Sequence, residues 1–178
     1  MIITVFGASQ PVPGSSAYED AYQVGKMIAL AGHTVVTGGY IGTMEAVSKG
    51  ANQSGGHVIG VTCEDIERWR KGTVNPWVNE EIKCPDLIDR LRKLIEICDM
   101  AIALPGGPGT LTEISLMWNL MIVESIPRKK MILLGKGWSD VIESAASSLN
   151  PYFTPGQKEL LTFSPTIDSI PELNQYKN

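Results

Sequence analysis

Five short apolar runs, each followed by a polar turn and, with one exception, a stretch of helical periodicity, constrain this chain more than any other feature. They occupy residues 2–6 (IITVF), 33–37 (HTVVT), 57–62 (HVIGVT), 100–104 (MAIAL) and 130–135 (KMILLG). Runs this short and this rich in β-formers read as strands. Because they are almost wholly apolar, both faces of the sheet must be covered, as in a parallel sheet wrapped by crossover helices. Helices are expected from residue 16 to about 31, with Ser16-Ala17-Tyr18-Glu19 in the form of a capping box and Gly32 as the stop. Others are expected over 44–53, from Asp86 with Leu87, Leu91, Leu94, Ile95 and Cys98 on one stripe, over 111–123, and over 139–149. The ELLTF segment and a helical turn near Ile170 close the chain. The expected architecture is α/β: a Rossmann-like, doubly wound parallel sheet with helices on both faces, three layers deep. At 178 residues, with no repeat or linker, residues 1–178 read as one domain.

Composition narrows the function. With 43% hydrophobic and 19% charged residues, the chain is of ordinary globular type. A net charge of −4 argues against a general nucleic-acid or anionic-membrane binder. Cys63, Cys84 and Cys98 form no CxxC pair, and with two histidines in the chain no metal site is expected. They fit reduced thiols of a cytoplasmic protein. No segment nears the roughly 20 apolar residues of a membrane span, and the N-terminus lacks the basic region of a signal peptide.

Parallel sheets bind ligands at the C-terminal ends of their strands. Three turns are therefore candidates: Gly7-Ala8-Ser9, then Gly38 to Thr43 (GGYIGT), then Gly106-Gly107-Pro108-Gly109-Thr110. In the last, glycines allow close backbone approach, and the helix start offers free N–H groups and a positive dipole end suited to a phosphate. No Lys follows the final Gly, so this is not a Walker A loop. Glu113 has two readings. Thr110-Leu111-Thr112-Glu113 matches a capping box, and alternatively the carboxylate lies beside a bound sugar as a general base or charge stabiliser. Gly38, Gly39 and Gly42 resemble half of a dinucleotide fingerprint, but no full dinucleotide is expected. Arg90 lies off the apolar stripe of its helix and, on pattern alone, reads as solvated, as do Arg92 and Lys93. Residues 63–85 carry Trp69 and Trp77 without clean periodicity and read as a long functional or mobile loop. His33 and His57 each open a strand at its far end, which removes Ser-His-Asp chemistry from consideration.

The residues LPGGPGTLTE, the block TGGYIGTMEAVSKGANQSGGHVIGV and the N-terminal VFGAS together resemble the LOG (Lonely Guy) family, long labelled lysine decarboxylases. The resemblance covers about residues 2–149. It implies a Rossmann-like homodimer that cleaves the N-glycosidic bond of nucleoside 5′-monophosphates, notably cytokinin ribotides, without a cofactor. Carried onto this sequence, it makes Arg90 and Glu113 the catalytic pair. Gly7, Ser9, Gly38, Gly39, Gly42, Gly106, Gly107, Pro108, Gly109, Thr110 and Asn119 become substrate contacts. Tyr40 stands where the family has Gly, and Leu91 where it has a basic partner to the Arg. One related branch binds molybdenum cofactor without hydrolysis, so a carrier of a phosphorylated ligand is the alternative. A pyridoxal-dependent decarboxylase is not, because no Lys lies in a ligand-facing turn.

Overall fold

The computed structural model describes residues 1–70 and 72–174. Their strands form one seven-stranded sheet in the order β4-β3-β2-β1-β5-β6-β7, every neighbouring pair parallel. The strands are β1 (Ile2–Phe6), β2 (Thr34–Thr37), β3 (Val58–Cys63), β4 (Glu80–Cys84), β5 (Met100–Ala103), β6 (Lys130–Leu134) and β7 (Leu161–Ser164). The helices are α1 (Ser16–Leu30), α2 (Thr43–Gln53), α3 (Glu64–Arg70), α4 (Leu87–Glu96), α5 (Pro108–Ile122), α6 (Lys136–Ser148), α7 (Pro155–Lys158) and α8 (Pro171–Asn174).

Strand alternation sorts the core into two faces. Ile3 and Val5 of β1 pack with Val35, Val58 and Ile102 beneath α1 and α2. Phe6 packs with Val36, Val61 and Ala103 beneath α4, α5 and α6, where Leu94, Met117 and Ile142 close the layer. This is the doubly wound, three-layered α/β sheet that the apolar runs demand. Its order reverses at β1, which has β2 on one side and β5 on the other. A crevice therefore opens above the carboxyl ends of β1 and β5.

Three local readings are corrected. Helix α1 is capped by Ser15, whose Oγ accepts from the Tyr18 amide, one residue before the expected box. Residues 63–85 hold a helix and a strand, α3 and β4, in place of a structureless loop. Neither carries an amphipathic signature: α3 buries no residue, and β4 is an edge strand with only Cys84 buried. Charge is what shapes α3, with Glu64, Asp65 and Glu67 in its first turn and Arg68 and Arg70 in its last, matching the helix dipole. Finally, α5 begins at Pro108, three residues before the expected start. All three cysteines are free thiols and buried. Among the described residues no helix is long and apolar enough to cross a membrane.

Candidate active site

The early start of α5 decides what Glu113 does. Gly107 is the N-cap and makes no side-chain cap bond, with Pro108 at the first helical position. Proline has no N–H to lose and fits there without strain. Glu113 then falls in the second turn, too far along to reach back to the cap. The Thr110 hydroxyl is buried with no hydrogen-bond partner among the described residues. No capping box forms. Gly107 to Thr110 line one crevice, and a helix start with an unpartnered hydroxyl beside it is a combination suited to an anion.

That crevice has a volume of about 270 Å³. Gly7, Ala8, Ser9 and Gln10 line it from the turn after β1, Tyr40 and Met44 from the turn after β2 and the start of α2, and Ile66, Trp69 and Arg70 from α3. The opposite wall is Gly107 to Thr110 with Glu113, and Arg90 reaches in from α4. The volume sits just under the range typical of small-ligand pockets, about 300–1,000 Å³, and is too small for a dinucleotide.

Arg90 is buried, at 4% exposure, and not solvated. The apolar stripe of α4 misled on this point because the side chain reaches to carbonyls on β3 and just past the end of β2. Its Nε donates to the Val61 carbonyl at 2.8 Å and its Nη2 to the Gly38 carbonyl at 3.2 Å. The guanidinium also lies 5.6 Å from the centroid of the Tyr40 ring. Two strand-end carbonyls and a π-face thus offset the cost of burying the charge. Gly38 is what admits it: a Cβ there would stand 2.0 Å from Arg90 Nη2. The glycine therefore serves the arginine before any ligand. Gly42 has φ of +79°, and a Cβ would lie 2.4 Å from the Ala8 carbonyl, so it lets the first two turns pack together.

Glu113 is 9% exposed, and no hydrogen bond from another described residue reaches its carboxylate. Burial raises its pKa from 4.5 to about 7, opposed by the nearby Arg90 charge. A carboxyl poised near neutrality, beside a fixed cation and an anion cradle, is equipped for proton transfer.

Tyr40 occupies the position where a glycine was expected without needing a left-handed backbone, since among the described residues positive φ in a non-glycine occurs only at Glu124. Its hydroxyl donates to the Cys63 carbonyl at 3.0 Å and accepts from the Cys63 amide at 2.8 Å, which locks the end of β3. Buried Asn75 holds the same turn, donating to the Gly39 and Tyr40 carbonyls at 3.0 and 3.1 Å. Sequence reasoning did not single out Asn75, and no spacing in the chain marks it. Ile66 and Arg70 were missed because α3 was not foreseen.

Of the residues proposed from sequence, Arg90, Glu113, Gly7, Ser9, Gly107, Pro108, Gly109 and Thr110 meet at the crevice. Gly38, Gly39, Gly42 and Gly106 support it from behind: a Cβ on Gly106 would press on Thr110 Oγ1 at 2.2 Å. Asn119 lies exposed on α5, outside the crevice lining. Trp77 is also outside it, with the Lys49 ammonium 5.5 Å from its ring. Arg92 is an exposed ion-pair partner of Asp89. His33 and His57 sit at the strand ends remote from the crevice, near the N-terminal amine and Glu80 respectively.

Fold and crevice define the class: a doubly wound α/β protein with an anion-suited pocket at its switch point and a buried Arg and Glu beside it. The chain belongs to the SLOG cluster4 family, whose model matches residues 1–151, and is LOG-like. It is 33% identical over 175 residues to a probable cytokinin riboside 5′-monophosphate phosphoribohydrolase, LOGL6 of Oryza sativa subsp. japonica, covering 96% of this chain and 68% of that one. It is 33% identical over 116 residues to an uncharacterized protein of Archaeoglobus fulgidus, covering 65% of this chain and 72% of that one. It is 36% identical over 80 residues to the cytokinin riboside 5′-monophosphate phosphoribohydrolase LOG5 of Arabidopsis thaliana, covering 45% of this chain but only 34% of that enzyme. Among solved structures, the molybdenum cofactor binding protein of Rippkaea orientalis superimposes with a TM-score of 0.71 at 26% identity, covering 93% of this chain and 89% of that one.

Proposed function

We propose that this chain hydrolyses the N-glycosidic bond of a purine nucleoside 5′-monophosphate, AMP or an N6-modified AMP, to the free base and ribose 5-phosphate. The observation that carries the reading is Glu113, a desolvated carboxyl with a pKa of about 7 beside Arg90 and the start of α5. The LOG-like relatives support it.

The first-turn amides of α5 and the Thr110 hydroxyl bind the 5′-phosphate and fix the ribose above Glu113. The C1′–N bond breaks with its electron pair leaving on the base. Positive charge develops on C1′ and the ring oxygen, and the Glu113 carboxylate stabilises it. Water adds to C1′ and gives one proton to Glu113, which passes it to the departing base nitrogen and returns to the carboxylate. The sum is nucleotide plus water to base plus ribose 5-phosphate, with no cofactor in the step. Arg90 keeps enough carboxylate present by favouring the ionised form.

We propose further that the chain acts as a cytoplasmic homodimer or higher homo-oligomer with a small nucleotide as its ligand, and with no nucleic-acid or membrane partner. Exposed Leu87 and Ile88 on α4 and Leu111 on α5 give that contact its apolar surface. Light scattering on Ile88→Glu should then report a smaller species than wild type.

The likeness to a molybdenum cofactor binding protein favours one other reading, a carrier of a phosphorylated ligand. The test is incubation with AMP and isopentenyladenosine monophosphate, following free base by chromatography, with Glu113→Gln alongside. Release by wild type and loss in the variant upholds the hydrolase. No release from either nucleotide, with a thermal shift on adding a phosphorylated ligand, upholds the carrier.

A further inference from the structure

The crevice has a wall that the reaction above does not use. Helix α3 presents Trp69 and Arg70 to the pocket, across from the α5 wall. Trp69 is 75% exposed, an unusual state for the largest apolar side chain. Its ring is not loose, because the Arg70 guanidinium lies 4.7 Å from the ring centroid. Arg70 Nη2 in turn donates to Ser9 Oγ at 2.7 Å, which ties the end of α3 to the turn after β1. The far side of α3 is tied down separately: Asp65 accepts from the Leu87 amide at 3.0 Å, and Glu67 pairs with Lys83 at 2.6 Å. The folding of α3 thus holds an aromatic face and a stacked guanidinium at the pocket mouth without burying either.

Resting on the proposed function, we infer that Trp69, held by Arg70 and Ser9, is the platform on which the departing base stacks, and that this selects large planar heterocycles. Phosphate and ribose are engaged by the α5 wall; only the base projects far enough to meet α3. A purine covers more of an indole face than a pyrimidine does, so the wall favours purine nucleotides. It contributes through binding rather than through the bond-breaking step, because it touches none of the reacting atoms. Arg70 and Ser9 are positioning residues in this scheme.

Binding is measured by calorimetry on the Glu113→Gln protein, so that hydrolysis does not intrude, with AMP, CMP and ribose 5-phosphate as separate probes. Stacking of a base on an aromatic side chain is worth about 1–3 kcal/mol by alanine substitution, or about 5- to 150-fold in affinity. Adding Trp69→Ala should weaken AMP within that range and narrow the preference for AMP over CMP. Trp69→Phe should restore most of it. Ribose 5-phosphate, which has no base, should bind all three proteins alike. Because Trp69 is exposed, its replacement leaves the core untouched. Unchanged AMP affinity in Trp69→Ala, or an equal loss for ribose 5-phosphate, would overturn the inference. Failure of the hydrolase reading looks different: wild type releases no base while the Trp69 dependence of AMP binding stands.

Discussion

A carboxyl held at a pKa of about 7 inside a fold is a cost to that fold, and the cost is measurable. The ordinary value is 4.5, and burial lifts it to about 7. At about 1.4 kcal/mol per unit, ionising Glu113 in the folded protein costs roughly 3 kcal/mol more than in the unfolded chain. The sign follows from linkage. Between the two values the folded state holds the proton and the unfolded state does not, so stability is highest below pH 4.5 for this group and falls as pH rises through about 7. Glu113→Gln removes the titration while keeping the shape. The difference in unfolding free energy, variant minus wild type, should therefore grow by about 3 kcal/mol between pH 4 and pH 8. For a chain of this size that is on the order of 6–12 °C in Tm. Denaturant or thermal unfolding of both proteins across that pH range checks it. A difference that stays flat with pH would mean that Glu113 is solvated or paired in solution, and the poised-acid argument would fall with it.

Three further outcomes follow from the same geometry. If the ionised Glu113 is the working form, base release by wild type rises with pH to a plateau above about 7, and Glu113→Gln lowers it about 10²- to 10⁴-fold at pH 8; both are read from initial rates. Gly38→Ala places a Cβ 2.0 Å from Arg90 Nη2 and 2.5 Å from Met44 Sδ, so it should cost about 100-fold in kcat/KM with far-UV circular dichroism unchanged. Tyr40→Phe removes both bonds to Cys63 and should destabilise by about 1–3 kcal/mol in denaturant unfolding, with ribose 5-phosphate affinity nearly intact because the ring under Arg90 remains.

What could be read from the residues tracks where the energy of each feature lies. The central strands are legible because β1, β2, β3, β5 and β6 bury nearly every side chain, and burial writes itself as an apolar run. The edge strand β4 (EEIKC) and the helix α3 bury almost nothing and are stabilised by charge and by tethers such as Glu67–Lys83 and Asp65–Leu87. Such contacts join residues about 20 apart and leave no period. The glycine turns announced a ligand crevice, but not which glycine serves which neighbour. That Gly38 exists to seat Arg90, 52 positions along the chain, is visible only in three dimensions. Likewise Thr110-x-x-Glu113 is a faithful capping-box pattern, and the structure rejects it because Pro108 starts the helix one turn sooner.

That shift of register bears directly on the choice between a carrier and a hydrolase. A site that only holds a phosphorylated ligand gains from the α5 amides and the buried Thr110 hydroxyl, and it loses from any carboxylate brought near the same anion. Had Glu113 been a cap, its position would have been explained by the helix alone. As a second-turn residue it stabilises no helix end and accepts no hydrogen bond from the described residues, and its burial costs the fold roughly 3 kcal/mol above neutral pH. Arg90 opposes that cost only through space, because among the described residues its guanidinium donates to the Val61 and Gly38 carbonyls and makes no ion pair with Glu113. The arrangement is economical only if positive charge appears beside Glu113 for part of a cycle, which bond breaking at a glycosidic carbon provides and simple binding does not.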